Sequence, residues 1–175
     1  MAYEITPPKF KNYKYYLILA GKDAALLPEH VFDYEIFRKV LCSPKNQTDR
    51  ILDNKKLCQK LLECLDETLA DAIARTAPRW FSNLPPKFRT AKRLKLAIES
   101  DSDHCYDSYL INEKRDRRLL TKDVCETYIS HASCYPKFPA KVWTPAFVNY
   151  CVKQSKSLRW LQRVPRHLIT WEASI

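Results

Sequence analysis

The sequence predicts an all-α protein in which short helices stack in a solenoid-like bundle. Three features lead to this prediction. Gly21 is the only glycine among 175 residues, which argues against β-hairpins because their tight turns depend on glycine. Residues that cap helix N-termini recur along the chain, and apolar residues follow most of them at the spacing of one helix face. A proline stands at a constant distance before several of these caps.

The first helix is expected over about residues 9–20, with Pro7 and Pro8 leading into it and Gly21 ending it. Later helices are expected to begin at about residues 34, 55, 91, 122 and 145, and the one from 55 should run to about residue 76. Shorter helices are expected at about residues 104–112 and 156–163, with loops at 43–50 and 132–141.

Six predicted N-caps share a signature. An apolar residue lies two positions before each cap, and after most of them apolar residues follow at three, four, seven and eight positions. Four caps also have a proline five positions before them. The caps with the proline are Asp33, Thr90, Thr144 and Thr170, and those without it are Asn54 and Thr121. Thr90 departs from the pattern because Arg93 occupies its third position, where we expect the side chain to extend outward from a narrower apolar face. The alternative is a buried functional arginine.

This signature indicates a degenerate repeat over about residues 26–175, within a single domain spanning residues 1–175. A short amphipathic helix cannot bury its apolar face alone, so the units should stack. Residues 165–175 open one more unit, in which Trp171 and Ile175 would cap the stack. Capped amphipathic helices occur in any all-α protein, so a bundle without repeats is the alternative. The constant proline favours the repeat.

The unit resembles the short Pro-x-x-Leu-x-Thr helical repeats of bacterial and bacteriophage proteins, mostly of unknown function, some of which are injected into host cells. The resemblance covers about residues 26–175 and rests on the prolines and caps named above. It implies a helical-repeat fold and a bacterial or phage origin, and it supplies no catalytic residues.

Composition excludes several classes of function. Phosphate-binding loops need glycines where the backbone approaches the phosphate, so a Walker loop and a Rossmann fingerprint are excluded, and the G-x-S-x-G nucleophile elbow is absent. No apolar run approaches the roughly 20 residues that span a membrane, and the N-terminus lacks the pattern of a secretory signal. Seven cysteines without a regular framework favour reduced thiols. We therefore expect a cytoplasmic protein, or one delivered into a host cell by a route without a classical signal peptide.

Residues that could bind metals or act as nucleophiles are scattered. A zinc site would draw on His104, Cys105, Cys125, His131 and Cys134, but no C-x-x-C or other paired-ligand spacing is present. Cys42, Cys105 and Cys134 could be exposed, yet no histidine is placed beside them. Cys58, Cys125 and Cys151 occupy apolar helix positions and should be small buried residues.

A group of carboxylates around "ESDSDH" could hold Mg²⁺ or Ca²⁺, although a solvated turn is the favoured interpretation. Its members are Glu99, Asp101, Asp103 and Asp107. We predict no catalytic residue, no metal and no cofactor.

Positive charge is concentrated in the second half of the chain. The net charge is +10, and residues 81–175 hold 17 basic and 9 acidic residues against 13 and 11 in residues 1–80. Stacked units would align these basic groups into one stripe that attracts phosphates or an acidic protein face. The residues predicted to form this binding surface are Lys87, Arg89, Lys92, Arg93, Lys114, Arg115, Arg117, Arg118, Lys156, Arg159, Arg163 and Arg166.

Aromatic residues lie among these basic groups, where they could stack on nucleic-acid bases, although core packing is the favoured role. They are Trp80, Phe81, Trp143, Trp160 and Trp171.

We predict a non-catalytic interaction protein that inhibits or redirects a partner protein by binding its acidic surface. A nucleic-acid-binding protein that uses the Lys/Arg stripe is the alternative. An enzyme with a dispersed site is a third hypothesis.

Overall fold

A computed structural model describes residues 13–43, 48, 51–100, 111–132, 135–155 and 158–169. These residues form α-helices and 3₁₀ helices without a β-strand, which confirms the all-α prediction. No helix among them has both the length and the apolar character needed to cross a bilayer. The chain divides into two compact units, residues 1–77 and 78–175, here called the N-terminal and the C-terminal unit. The single domain over residues 1–175 stays a prediction.

The N-terminal unit contains α-helices joined by 3₁₀ turns, and residues 51–53 are also helical. Its α-helices are α1 (Tyr13–Ala20), α2 (Tyr34–Leu41), α3 (Lys55–Glu63) and α4 (Glu67–Thr76). Its 3₁₀ helices are Ala24–Leu26 and Glu29–Val31. Helix α1 ends directly before Gly21, as predicted, without a left-handed backbone at that glycine.

The C-terminal unit combines α-helices with longer 3₁₀ segments. Its α-helices are α5 (Ala91–Ser100), α6 (Glu113–Asp116), α7 (Lys122–His131) and α8 (Pro145–Gln154). Its 3₁₀ helices are Pro78–Asn83, Pro86–Phe88, Arg117–Leu119, Ala140–Val142, Leu158–Arg163 and Arg166–Leu168.

The predicted caps lie where the described helices begin. Asp33 accepts a hydrogen bond from the Ile36 N–H at 3.0 Å, and Thr144 accepts one from the Phe147 N–H at 3.2 Å. The other three described caps accept equivalent bonds from the first turn that follows them. These bonds satisfy N–H groups that have no partner within the helix. Thr170 lies outside the described residues.

The proline of the signature starts a 3₁₀ turn that leads into each cap. The third residue of the turn donates its N–H to the carbonyl of the proline at 2.9–3.1 Å in all four cases. This third residue is the predicted apolar position two before the cap. Proline suits the start of the turn because its φ is already restricted and it has no N–H to satisfy. The prolines are Pro28, Pro85, Pro139 and Pro165, and buried apolar residues precede them at Leu27, Leu84, Phe138 and Val164.

Two sequence predictions differ from the structure. The long helix over about 55–76 is wrong, because Asp66 caps a separate helix by accepting a hydrogen bond from the Leu69 N–H at 2.8 Å. The helix over about 156–163 is a 3₁₀ helix in its described part, 158–163. The helix predicted over about 104–112 lies outside the described residues except for 111 and 112, which are not helical, so it stays a prediction.

Hydrogen bonds between helices show how the N-terminal unit is ordered. Tyr13, the first residue of α1, donates its hydroxyl to both oxygens of the α2 cap Asp33 at 2.8 and 3.0 Å. Tyr34, the first residue of α2, donates its hydroxyl to the α4 cap Asp66 at 2.9 Å. Helix α2 packs against both α1 and α4. The N-termini of these three helices therefore lie at the same end of the unit.

In the C-terminal unit, hydrogen-bonding contacts join two helices near their C-terminal ends. Helix α7 packs against both α5 and α8. Just beyond α7 and α8, the hydroxyls of Tyr135 and Ser155 lie 3.1 Å apart, and within the helices those of Ser130 and Tyr150 lie 2.7 Å apart. Helices α7 and α8 therefore run in the same direction, with their C-terminal ends together.

Candidate functional site: the basic surface of the C-terminal unit

The structure divides the twelve predicted binding residues into three groups. Nine are exposed, Arg89 and Arg93 are buried, and Lys156 lies outside the described residues. The exposed residues are Lys87, Lys92, Lys114, Arg115, Arg117, Arg118, Arg159, Arg163 and Arg166. All of them belong to the C-terminal unit.

Arg93 does not extend outward, so that expectation is wrong. Only 2% of the residue is exposed, and its guanidinium lies 5.7 Å from the centre of the Phe88 ring. One of its nitrogens also donates a hydrogen bond to the Phe88 carbonyl at 3.1 Å. The aromatic face and the carbonyl compensate for the loss of water around the guanidinium. Arg93 therefore supports the core of the unit and does not belong to an exposed basic surface.

Arg89 is also removed from the surface, because it forms a buried ion pair with Asp116. The side chains of the two residues are 6% and 4% exposed. Asp116 also accepts hydrogen bonds from the Asn112 N–H at 3.1 Å and from Arg115 Nη2 at 3.1 Å. Arg115 reaches further, to the Ser82 carbonyl at 2.8 Å. This cluster ties α6 to two 3₁₀ segments that precede it by about 30 residues.

Five exposed Lys and Arg residues on the three-residue 3₁₀ helices of the C-terminal unit are here called the turn cations. They are Lys87, Arg117, Arg118, Lys141 and Arg166. Among the described residues, no carboxylate lies within ion-pairing distance of them. Lys87 Nζ lies 4.7 Å from the centre of the neighbouring Phe88 ring, which leaves its charge accessible.

Several carboxylates of the same unit are occupied by other cations. Asp116 is buried in the cluster described above, Asp123 pairs with Lys95 at 2.9 Å, and Glu126 faces Lys122 at 3.6 Å. The sequence from residue 127 to residue 171 contains no Asp or Glu, and it contains seven Lys or Arg residues. The cations of this stretch therefore have no acidic residue between them in the sequence.

The aromatic residues among these cations are mostly not available for stacking. Trp160, Phe81 and Trp143 are buried, and Trp80 is half-buried. Trp143 belongs to a cluster of rings with Phe138 and Phe147 at centroid distances of 5.4–6.0 Å. Core packing is confirmed for the buried three. Trp171 lies outside the described residues.

The thiols and histidines do not assemble into a site within the described part of the chain. Burial raises the pKa of Cys125 and of Cys151 to about 12, as expected for structural cysteines, and Cys58 is half-buried with a raised pKa. His131 lies 3.1 Å from the Thr127 carbonyl. No group of three metal-binding side chains is found there. His104, Cys105 and Cys134 fall outside the described residues, as do all members of the acidic cluster except Glu99.

Two open grooves lie in the N-terminal unit. The first, of about 370 Å³, is lined by Leu17, Glu35, Arg38, Lys39 and Cys42. The second, of about 460 Å³, is lined by Lys55, Cys58, Gln59, Leu62 and Glu63. Cys42 is exposed, as predicted, but Glu35 is held by Arg38 at 2.8 Å and neither lining contains a histidine. Neither groove therefore pairs a thiol with a histidine base.

Sequence reasoning overlooked Lys141, although a signal for it was present. The residue three positions before a cap is basic or histidine in all five units that have a described 3₁₀ turn. These residues are His30, Lys87, Arg118, Lys141 and His167, and all are exposed. The position lies inside each turn and is exposed in all five units, so a cation there keeps its water. The Asp116 cluster was also overlooked, because its partners are far apart in sequence.

Comparison with known proteins gives no match for this chain, whether with family models, curated proteins or solved structures.

Proposed function

We propose that this chain is a non-catalytic interaction protein that binds an acidic surface of a partner protein through the C-terminal unit. By occupying that surface, it would inhibit or redirect the partner. The observation that carries the proposal is the state of the turn cations, which are exposed and have no carboxylate partner among the described residues. A folded protein gains little stability from such a concentration of like charge, and it gains attraction for an acidic surface.

The units of the proposed repeat would present these cations on one face. Support comes from the common direction of α7 and α8, since the turns that precede these two helices carry Arg117, Arg118 and Lys141. In a stack built this way, the turns before successive caps follow one another along one edge. The resemblance to bacterial and phage helical repeats points the same way, and so does the expectation of action in the cytoplasm or in a host cell.

The burial of the aromatic residues favours a protein partner over nucleic acid. Proteins that bind single strands use exposed rings as stacking platforms, and here Trp143 and Trp160 are in the core. Binding to phosphates alone would need the cations but would leave exposed apolar side chains unused. Leu158 and Ile169 are such side chains, at 71% and 47% exposure. Nucleic-acid binding therefore remains the second candidate, favoured only by the charge.

The proposal is tested by capture from bacterial lysate on the immobilised full chain, with and without nuclease, followed by mass spectrometry. A turn variant carries Lys87→Glu, Arg118→Glu and Lys141→Glu. A matched control carries the same charge change in the N-terminal unit, at Lys39, Lys55 and Arg75, which are also exposed. Both variants lower the net charge from +10 to +4, so a difference between them reports on position and not on total charge.

A protein that is captured in stoichiometric amount after nuclease treatment, and is lost with the turn variant only, supports the proposal. Loss of all captured material after nuclease treatment would replace it with nucleic-acid binding. Equal capture by the turn variant and the control would contradict a role for the turn cations.

A further inference from the structure

Helices α5 and α7 of the C-terminal unit run in the same direction. Arg89, which precedes α5, pairs with Asp116, which precedes α7. Further along the chain, Lys95 of α5 pairs with Asp123 of α7 at 2.9 Å. The two contacts advance together along both segments, as they do between neighbouring parallel helices. The turn before α5 therefore lies at the same end of the unit as the turn before α7.

Helix α7 is the middle member of a layer of three parallel helices. It packs against α5 and against α8, and within the described part of this unit α5 and α8 do not pack closely against each other. The hydroxyl contacts described above give α7 and α8 a common direction. The turns that precede α5, α7 and α8 therefore follow one another along one edge of the C-terminal unit.

The two steps across this layer are alike. Lys95, the fifth residue of α5, contacts Asp123, the second residue of α7. Ser130, the ninth residue of α7, contacts Tyr150, the sixth residue of α8. In both steps the later helix is displaced by three residues, which is about 4.5 Å along the axis. Because packed helix axes lie about 8–10 Å apart, equivalent positions on successive helices are roughly 9–11 Å apart.

An exposed cation stands at the same position before each of these helices. Lys87, Arg118 and Lys141 are each the second residue of a three-residue 3₁₀ helix, and each lies three residues before the cap. Within the described part of the chain, no carboxylate lies within ion-pairing distance of them. Equivalent residues of a repeated local structure point the same way relative to their helices. These three residues, called here the cation row, therefore form a line in which neighbours are roughly 10 Å apart.

A protein segment that pairs with the cation row must present acidic side chains at the same interval on one side. An α-helix presents them at this interval only at every seventh residue, and helical segments dock by burying an apolar face in a groove, which a row of charges does not provide. A polyproline II segment has three residues per turn and rises about 3.1 Å per residue. Every third side chain then lies on one side, about 9 Å from the next.

We infer that the cation row binds an extended segment of the partner protein in the polyproline II conformation, with Asp or Glu at every third position. The inference rests on the proposed function, because it specifies the acidic surface that the turn cations bind. About seven residues of such a segment span the whole row, with one carboxylate at each cation. The Arg89–Asp116 pair is a positioning device for this binding, since it holds the turn of Lys87 beside the turn of Arg118.

Two synthetic peptides of identical composition and charge test the inference without knowledge of the partner. The spaced peptide is Glu-Pro-Pro-Glu-Pro-Pro-Glu, and the clustered peptide is Pro-Pro-Glu-Glu-Glu-Pro-Pro, both acetylated and amidated. Their binding to the full chain is measured by NMR titration at about 20 mM salt, where exposed charges are weakly screened. The row variant is Lys141→Glu. The matched control is Lys153→Glu, which makes the same charge change at an exposed residue near the opposite end of α8.

We expect the unmodified chain to bind the spaced peptide at least about threefold more tightly than the clustered peptide, because only the spaced one reaches all three cations. Lys141→Glu should remove this preference, and Lys153→Glu should keep it. Equal affinity for the two peptides, or no binding of either, would overturn the inference. The proposed function would still stand if the captured partner were lost with the turn variant only, and it would fall with the inference if that partner were retained.

A thymidine tetranucleotide, whose three phosphodiester groups carry the same total charge as each peptide, provides the nucleic-acid arm. We expect the chain to bind it more weakly than the spaced peptide, since its phosphates follow one another at a shorter interval than the cations. Tighter binding of the tetranucleotide that Lys141→Glu loses and Lys153→Glu keeps would assign the cation row to phosphates. That result would overturn the inference together with the proposed protein partner.

Discussion

Replacing Asp116 by Asn should destabilise the C-terminal unit by about 3–5 kcal/mol. The substitution keeps the size of the side chain but removes its charge, which leaves the guanidinium of Arg89 buried without an ionic partner. The matched control is Asp123→Asn, since Asp123 also pairs with a cation but its side chain is 68% exposed. An exposed pair contributes about 0–1 kcal/mol, so the two variants should differ clearly.

Urea unfolding followed by tryptophan fluorescence reports on the C-terminal unit, because all four tryptophans belong to residues 78–175. With a urea dependence of about 2 kcal/mol per molar, the midpoint should fall by roughly 2 M for Asp116→Asn and by less than about 0.5 M for the control. Equal midpoints for the two variants would refute the assignment of this ion pair to the core.

The double variant Arg89→Met with Asp116→Leu gives a second check of the same reasoning. Both charges are removed together, so no uncompensated ion remains in the interior. We expect the midpoint to recover most of the loss seen for Asp116→Asn, since apolar residues of similar volume often replace buried pairs without cost. A double variant that is as unstable as the single one would show that the loss comes from packing and not from charge.

Three further predictions concern local features. Thr144→Ala should lower the free energy of unfolding by about 1 kcal/mol through loss of the cap of α8, and the same urea titration measures this. The control is Asn149→Ala on the exposed side of α8, and an equal loss of stability in both variants would contradict the cap. Cys42 should react with a thiol reagent in the folded protein at pH 8, and Cys151 should not. Peptide mapping of the labelled protein measures both, and equal labelling would contradict the burial of Cys151. Desolvation of the phenol and its carboxylate partner raise the pKa of Tyr13 to about 12, so its contribution to stability is complete below pH 10 and is lost as pH rises toward 12. A Tyr13→Phe variant should therefore lose less stability over that range, and an unchanged alkaline transition would contradict the assignment.

Much of the local structure could be predicted because it depends on residues close in sequence. A cap such as Thr144 and the proline five positions before it act within one turn of backbone, so their spacing is visible in the chain. The break before α4 was missed because residue 61 is leucine where the signature has proline. Asp66 nevertheless has apolar residues at the expected positions after it, and that weaker signal would have located the helix.

The residues that form the exposed surface could be predicted less well, because the burial of a side chain depends on partners that are distant in sequence. Arg89 and Asp116 are 27 residues apart, and no periodic pattern connects them. Arg93 looked like a charged interruption of an apolar stripe, and only the position of the Phe88 ring explains why the interior accepts it. Lys87 and Arg118 are exposed, since both lie on turns that a short chain segment specifies, and their role in binding stays a prediction.

The most direct test of the account is the affinity of the captured partner for the turn variant, measured by biolayer interferometry at salt concentrations from about 50 to 300 mM. If the turn cations at Lys87, Arg118 and Lys141 attract an acidic partner, the turn variant should bind at least about tenfold more weakly than the N-terminal control, with a shallower dependence on salt. The control, with the same net charge, should bind within about twofold of the unmodified chain. An equal loss of affinity in both variants would show that only total charge matters, and it would contradict a binding surface on the C-terminal unit.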